Sequence, residues 1–198
     1  MPSLEQLRPQ PDNRLAFLGG FLRKPREVGS IIPSSRFLER RIVRTAGIED
    51  AQVVVELGPG TGGTTRALLR VMRPDAKLVA IEINPRFATL LARWDDPRLI
   101  VHIGDAGDIR YALEAHDLPG ADAVLSGIPF STMSRDIGMQ ILHSVHGALR
   151  PGGAFVAYQM RDRVESLGRE VFGPAQVQKE LRNIPPMRVY RWLRDADA

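Results

Sequence analysis

The sequence predicts an α/β fold: a mostly parallel sheet flanked by helices, with an antiparallel C-terminal strand and a helical prefix. Three observations carry this. From residue 53 onward, short β-branched runs alternate with segments of helical period, the pattern of strand–helix–strand crossovers. The first run, "VVVEL", breaks into "GPGTGG", and glycines let a backbone turn sharply off a strand end. Near the C-terminus two strand-like runs are separated only by "NIPP", whose prolines make a turn and so an antiparallel pair.

Residues 1–50 read as a prefix and 51–198 as the sheet domain. In the prefix, Leu15, Leu18 and Leu22 share one helical face, with Phe17 and Phe21 beside it. Arg14, Arg23, Lys24 and Arg26 cluster around that apolar stripe. "VGSIIPSS", Val28–Ser35, follows as a loop, and Arg36–Thr45 as a helix leading into the sheet.

Val53–Leu57 is the first expected strand, followed by a helix from Thr64 to Met72. Leu78–Ile83 is the second. Asn84 then caps a helix whose first residue is Pro85 and which runs to Trp94. Leu99–Ile103 and Ala123–Leu125 are the third and fourth strands, and Ile137–Leu149 is a long amphipathic helix. "RPGG", Arg150–Gly153, stops that helix and turns into a fifth strand, Ala154–Gln159. A helical stretch over Val164–Phe172 precedes the final pair, Val177–Asn183 and Met187–Leu193.

Composition narrows the function classes. The 198 residues are enough for one domain with a sizeable core, and 43% hydrophobic with 25% charged residues is ordinary globular composition. With no cysteine there are no disulfides and no thiolate metal sites. No apolar run approaches the roughly 20 residues needed to cross a bilayer, and the first thirty residues do not read as a signal peptide. A net charge of +4 and a pI near 9.9 permit an anionic partner, either a phosphodiester backbone or an acidic lipid surface.

Three acids at successive strand ends point to a ligand. A dinucleotide site wants G-x-G-x-x-G and an uncluttered positive helix end for the pyrophosphate. Here Glu56 precedes Gly58, Pro59, Gly60, Thr61 and Gly62, which favours a cationic, phosphate-free ligand. Glu82, with Ile83 at the end of the second strand, is placed to accept hydrogen bonds from ribose hydroxyls. Asp105, with Ala106 after the third strand, is placed to accept a bond from an adenine amino group. S-adenosylmethionine, with its sulfonium and ammonium groups, fits this set.

With "ELGPGTG", "VAIEI", "GDA", the "LRPGG" turn and the terminal antiparallel pair, residues 50–195 resemble the class I S-adenosylmethionine-dependent methyltransferases. The resemblance implies a Rossmann-like seven-stranded sheet and release of S-adenosylhomocysteine. It implies that Glu56 to Gly62 hold the methionine part, Glu82 and Ile83 the ribose, and Asp105 with Ala106 the adenine. Ser126, at the end of the fourth strand, would lie beside the transferable methyl group.

The acceptor is read from "SGIPFS", Ser126–Ser131, and from the chain's two ends. Enzymes that methylate nucleobase amino groups carry Asn or Asp there, followed by Pro-Pro or Leu-Pro and an aromatic. Pro129 and Phe130 remain, but Ser126 cannot present an amide oxygen to an exocyclic amine. "FLRKPREVGSIIPSS", "SGIP" and "NIPP" with Tyr190 and Trp192 resemble the bacterial phospholipid N-methyltransferases, which convert phosphatidylethanolamine stepwise towards phosphatidylcholine. Phe130, Ser131 and Thr132 depart from that family's more apolar run. The alternative is a ribosomal adenine dimethyltransferase-like enzyme, although those usually add a helical domain after the sheet.

The expected acceptor site thus comprises Ser30, Ser34, Ser35, Pro129 and Phe130, with Tyr158 and Ser126 as the candidate catalytic residues and no metal. Ser34 and Ser35 are candidates for a headgroup phosphate or for the cap of the following helix. Leu15, Phe17, Leu18, Phe21, Arg23 and Lys24 are expected to meet an anionic phospholipid surface, with no obligate protein partner. That places the protein in the cytoplasm, peripherally on the inner membrane. The bland counterpart is a prefix helix packed against the domain.

Overall fold

The computed structural model describes residues 34–196. Seven strands form one sheet: β1 (Val53–Leu57), β2 (Lys77–Glu82), β3 (Leu99–Ile103), β4 (Ala121–Ser126), β5 (Leu149–Gln159), β6 (Gln176–Glu180) and β7 (Met187–Leu193). Their order is β3-β2-β1-β4-β5-β7-β6. β7 runs antiparallel to both β5 and β6, while the other neighbouring pairs are parallel. This is a Rossmann-like methyltransferase sheet.

The helices are α1 (Arg36–Ala46), α2 (Gly63–Leu69), α3 (Pro85–Leu91), α4 (Ile109–Glu114), α5 (Arg135–Ala148) and α6 (Arg163–Phe172). The chain winds outward from β1 to β3, then returns to lay β4 on the other side of β1. The switch point of the sheet therefore lies between the carboxyl ends of β1 and β4, where open α/β sheets bind ligands.

Strand alternation assigns the two layers. Val53, Val55 and Leu57 face a core shared with Ile109, Leu142, Phe155 and Trp192, which packs α4, α5 and α6 on one side. Val54 faces the other core, with Leu38, Ile42, Leu68 and Val156, under α1 and α2. On α1, Leu38, Ile42, Val43 and Ala46 form the buried stripe; Ser35 caps its start and left-handed Gly47 its end. This helix, the one expected to lead into the sheet, thus shares a core with it. α6 approaches β7 at Gly168, where a Cβ would sit 2.6 Å from Trp192 Cζ2.

β1, β3 and β7 match their expected bounds, and Asn84 caps α3 with Pro85 at its first position. Other elements shift. α2 and α3 end at Leu69 and Leu91 rather than at Met72 and Trp94. α5 starts two residues early and stops at Ala148. β2 spans Lys77–Glu82, and β4 is longer than expected because Ala121 and Ser126 also pair with β5, with a register shift at Asp122 between them. "RPGG" is not a turn ahead of β5 but part of it, since Leu149 already pairs with Ala121 and Arg194 donates to Gly153 O. β6 stops at Glu180, where the side chain turns back to accept from Arg182 N. α4 has no counterpart in the sequence reading. Among the described residues no helix is long and apolar enough to cross a membrane.

Candidate active site

Three glycines stand one residue past the carboxyl ends of β1, β3 and β4 and continue the sheet's ladder. Gly58 N donates to Ile81 O at 3.0 Å, Gly104 N to Glu82 O at 3.2 Å and Gly127 N to Leu57 O at 3.0 Å. A side chain would be crowded at each of them. A Cβ on Gly58 would sit 3.2 Å from Ile128 Cγ1, one on Gly104 2.7 Å from His102 Nε2, and one on Gly127 2.6 Å from Tyr158 Oη.

The β1 turn is built on left-handed backbone at Gly58, Gly60 and Gly62, a conformation that only glycine adopts freely. A Cβ on Gly60 would meet nothing within 4 Å, so the loop's backbone borders open space. Thr61 is exposed and Pro59 buried. Gly62 instead serves packing: a Cβ there would lie 2.6 Å from both Leu91 Cδ2 and Trp94 Cη2.

Glu56 shares the face of Val54 and is completely buried beneath α2. Thr65 donates to its Oε2 at 2.6 Å, while Oε1 has no partner among the described residues. Burial pushes this carboxyl up to about 7, opposed by the Thr65 bond and reinforced by the nearby Glu82 carboxylate. An orphaned buried oxygen beside a glycine loop fits a ligand that brings its own cation.

Glu82 is buried at the end of β2 and bridges the site. Its Oε2 accepts from Gly60 N at 3.0 Å and its Oε1 from Asn84 N at 2.8 Å. Burial raises its pKa, opposed by those backbone bonds. Each oxygen keeps acceptor capacity for a ribose hydroxyl. Ile83 is half-buried beside it. After β3, Asp105 accepts from Gly107 N at 2.8 Å, while Asp108 Oδ2 accepts from Asp105 N at 3.0 Å. This reciprocal cap holds a short 3-10 turn, Ala106–Asp108, with Ala106 buried.

The two candidate catalytic residues are not brought together. Tyr158 follows Val156 on the α2 face, its Oη 3.3 Å from Thr64 Oγ1. Burial, then the Glu56 charge, raises its pKa, so it stays a neutral phenol. Ser126 follows Val124 on the opposite face, fully buried, and its Oγ accepts from Ile128 N at 3.3 Å. Phe130 is fully buried in the core; Pro129, half-buried, leads its 3-10 turn, and Gln159 Nε2 steadies the segment through Ile128 O.

Ser35 Oγ accepts from Leu38 N at 3.3 Å, so it is the helix cap; Ser34 is half-buried next to it. Ser30, Leu15, Phe17, Leu18, Phe21, Arg23 and Lys24 lie outside the described residues. Sequence reasoning missed Thr65, Thr64 and Gly127. Thr65 leaves no sequence signal, because its role exists only through Glu56 on another element. Gly127, directly after the fourth strand in "SGIP", was visible as a candidate close approach.

The family model for ribosomal RNA adenine dimethylases matches residues 24–150. An ornithine lipid N-methyltransferase of Singulisphaera acidiphila is 32% identical over 177 residues, covering 88% of this chain and 92% of that protein. The small-subunit ribosomal RNA methyltransferase A of Caulobacter vibrioides is 36% identical over 131 residues, covering 63% of this chain and 46% of that protein. The chain thus spans about half the length of that ribosomal RNA enzyme. Among solved structures, the O-methyltransferase TomG from Streptomyces achromogenes, in complex with S-adenosylmethionine, shares the fold. It has a TM-score of 0.63 and 17% identity, covering 94% of this chain and 92% of that one. The chain belongs to the ribosomal RNA adenine dimethylase family of class I S-adenosylmethionine-dependent methyltransferases, and S-adenosylmethionine is its cofactor.

Proposed function

We propose that this methyltransferase is a lipid N-methyltransferase that works at an anionic membrane surface. Its acceptors are phosphatidylethanolamine and its methylated derivatives, towards phosphatidylcholine. One observation carries the reading: the likeness to an ornithine lipid N-methyltransferase runs over 92% of that protein's length. That relative also makes the amine of an ornithine lipid a second acceptor worth testing. The protein would sit on the cytoplasmic side of the inner membrane as a peripheral protein.

S-adenosylmethionine, when bound, supplies an electrophilic methyl group. The residues that would hold it are Glu56 to Gly62 for the methionine part, Glu82 and Ile83 for the ribose, and Asp105 with Ala106 for the adenine. Glu56 Oε1 is the acceptor left over for an ammonium group. A lipid amine is mostly protonated at neutral pH and must lose a proton to water before its lone pair can attack. Tyr158, kept neutral, orients that amine by hydrogen bonding and does not act as a phenolate base. Ser34, beside the N-terminus of α1, is the candidate contact for a headgroup phosphate.

Adenine methylation in ribosomal RNA is the second reading, favoured by the matching family model. Against it stands Ser126, whose hydroxyl is buried and bonded to its own turn. The deciding experiment supplies methyl-labelled cofactor with phosphatidylethanolamine vesicles, ornithine lipid vesicles and unmethylated ribosomal RNA in parallel. Label in a lipid amine is expected; label in RNA alone sinks the lipid reading.

A further inference from the structure

We infer that the tip of the β6–β7 hairpin, residues 181–186, docks into an anionic lipid bilayer and holds the mouth of the site against it. This rests on the lipid reading above. Ile184 and Leu181, 86% and 71% exposed, are the most exposed large hydrophobic side chains among the described residues. Isolated apolar residues on a surface need no explanation, but two on one short turn, rimmed by cations, form an interfacial patch.

Position supports this. Gln159, at the carboxyl end of β5, pairs with Arg188 at the start of β7, and Met187 pairs with Glu180. The hairpin tip therefore projects from the same rim of the sheet as Gly58, Gly127 and Tyr158. A lipid whose tails stay in the bilayer must present its headgroup at this rim.

Charge supports it too. Arg36, Lys179 and Arg182 are exposed beside the tip. The guanidinium carbons of Arg36 and Arg182 lie 5.0 and 4.3 Å from the Phe37 ring centroid, which keeps them splayed beside the turn. Glu180, the acid at the base of the tip, is 1% exposed and engaged by Arg41 and Arg182. Glu180 thus offsets charge on Arg41 and Arg182 at the base of the tip, while Arg36 and Lys179 remain exposed beside it.

The tip is also pre-organised. Buried Asn183 accepts from Ser35 N at 3.0 Å and donates from Nδ2 to Pro185 O at 2.8 Å. It fastens the turn to the point where the prefix joins the domain. That prefix carries Arg14, Arg23, Lys24 and Arg26, the same sign as the tip's rim. An anionic surface is complementary in charge to the cations beside the tip and to those cations of the sequence alike.

The test uses the full chain and its Leu181→Ser/Ile184→Ser variant. Both are sedimented with vesicles of phosphatidylglycerol and phosphatidylethanolamine, and assayed for methyl transfer to the same vesicles and to detergent-dispersed phosphatidylethanolamine. The variant is expected to lose about ten-fold or more in vesicle partitioning and to lose methylation of vesicle lipid in proportion. Its cofactor affinity, melting temperature and transfer to dispersed lipid should be unchanged. Equal sedimentation of variant and wild type overturns the docking. Wild-type transfer to dispersed lipid without vesicle binding also overturns it, while leaving the lipid reading intact. No transfer to lipid in any form sinks the lipid reading. A variant that loses binding to unmethylated ribosomal RNA but not to vesicles assigns the tip to RNA and overturns the proposal.

Discussion

Thr65 holds Glu56 from one side only: its hydroxyl donates to Oε2 at 2.6 Å, and the buried Oε1 on the other side has no partner among the described residues. The protein therefore carries a desolvated carboxyl at the base of its glycine loop, stabilised less than a buried charge requires.

Glu56→Gln should trade function for stability. Burial raises the folded-state pKa from 4.5 to about 7. The group's contribution to stability is therefore fully present below the unfolded value and is lost as pH rises from about 4.5 through about 7. Above that range the ionised form costs the free protein about 3 kcal/mol. Removing the ionisable group should raise the melting temperature at pH 8, with the gain shrinking towards pH 4.5. Cofactor affinity should fall about ten-fold or more, as a charge-assisted hydrogen bond is replaced by a neutral one. Thermal melts across pH, with a cofactor titration, check both halves.

Cofactor binding should also release a proton. At pH 6 the free Glu56 is largely protonated, and a cation seated on Oε1 favours the carboxylate. Calorimetric binding enthalpies at pH 6 should then vary with the ionisation enthalpy of the buffer, and this dependence should vanish in Glu56→Gln. Buffer-independent heats for the wild type would remove Glu56 from the ammonium site.

At the rim, Gly127→Ala would place a methyl group 2.6 Å from Tyr158 Oη and 3.1 Å from its Cζ. Overpacking of this kind typically costs about 1–3 kcal/mol. Tyr158→Phe deletes the clashing oxygen, so the double variant should recover part of the lost stability. Catalytic rate should stay reduced in both Tyr158→Phe variants if the phenol orients the acceptor. Urea melts and single-turnover rates on the four proteins separate the two effects.

Asn183→Ala should loosen the hairpin tip. It removes an acceptor from Ser35 N and a donor to Pro185 O in a buried setting, a loss of about 1–3 kcal/mol. Denaturant unfolding measures the loss. Amide exchange should rise first at Leu38 and its α1 neighbours and at residues 181–184, while β1 stays protected; uniform exchange would argue that the side chain has no local role.

Legibility followed the range of the interaction. Val53–Leu57 and Leu99–Ile103 were readable because β-branched runs bounded by glycine or polar residues need no distant partner to become strands. Asn84–Pro85 was readable because a cap and its helix are neighbours in sequence. α4 escaped because six residues hold too few turns to show a helical period. The full length of β5 escaped because Arg150–Gly153 has turn composition and is made strand only by Ala121 and Arg194.

By itself the sequence determined the sheet class, the glycine loop and the three acids at successive strand ends. These are local signals: a residue type, its spacing and the strand it ends. Only the tertiary structure decided that Glu56 lies beneath Thr65 with one oxygen unanswered, that Ser126 and Tyr158 face opposite sides of the sheet, and that Leu181 and Ile184 stand exposed at the same rim as the site. Those relations depend on strand order, on the parity of each strand and on which elements pack above it. All three arise from contacts between residues far apart in the chain.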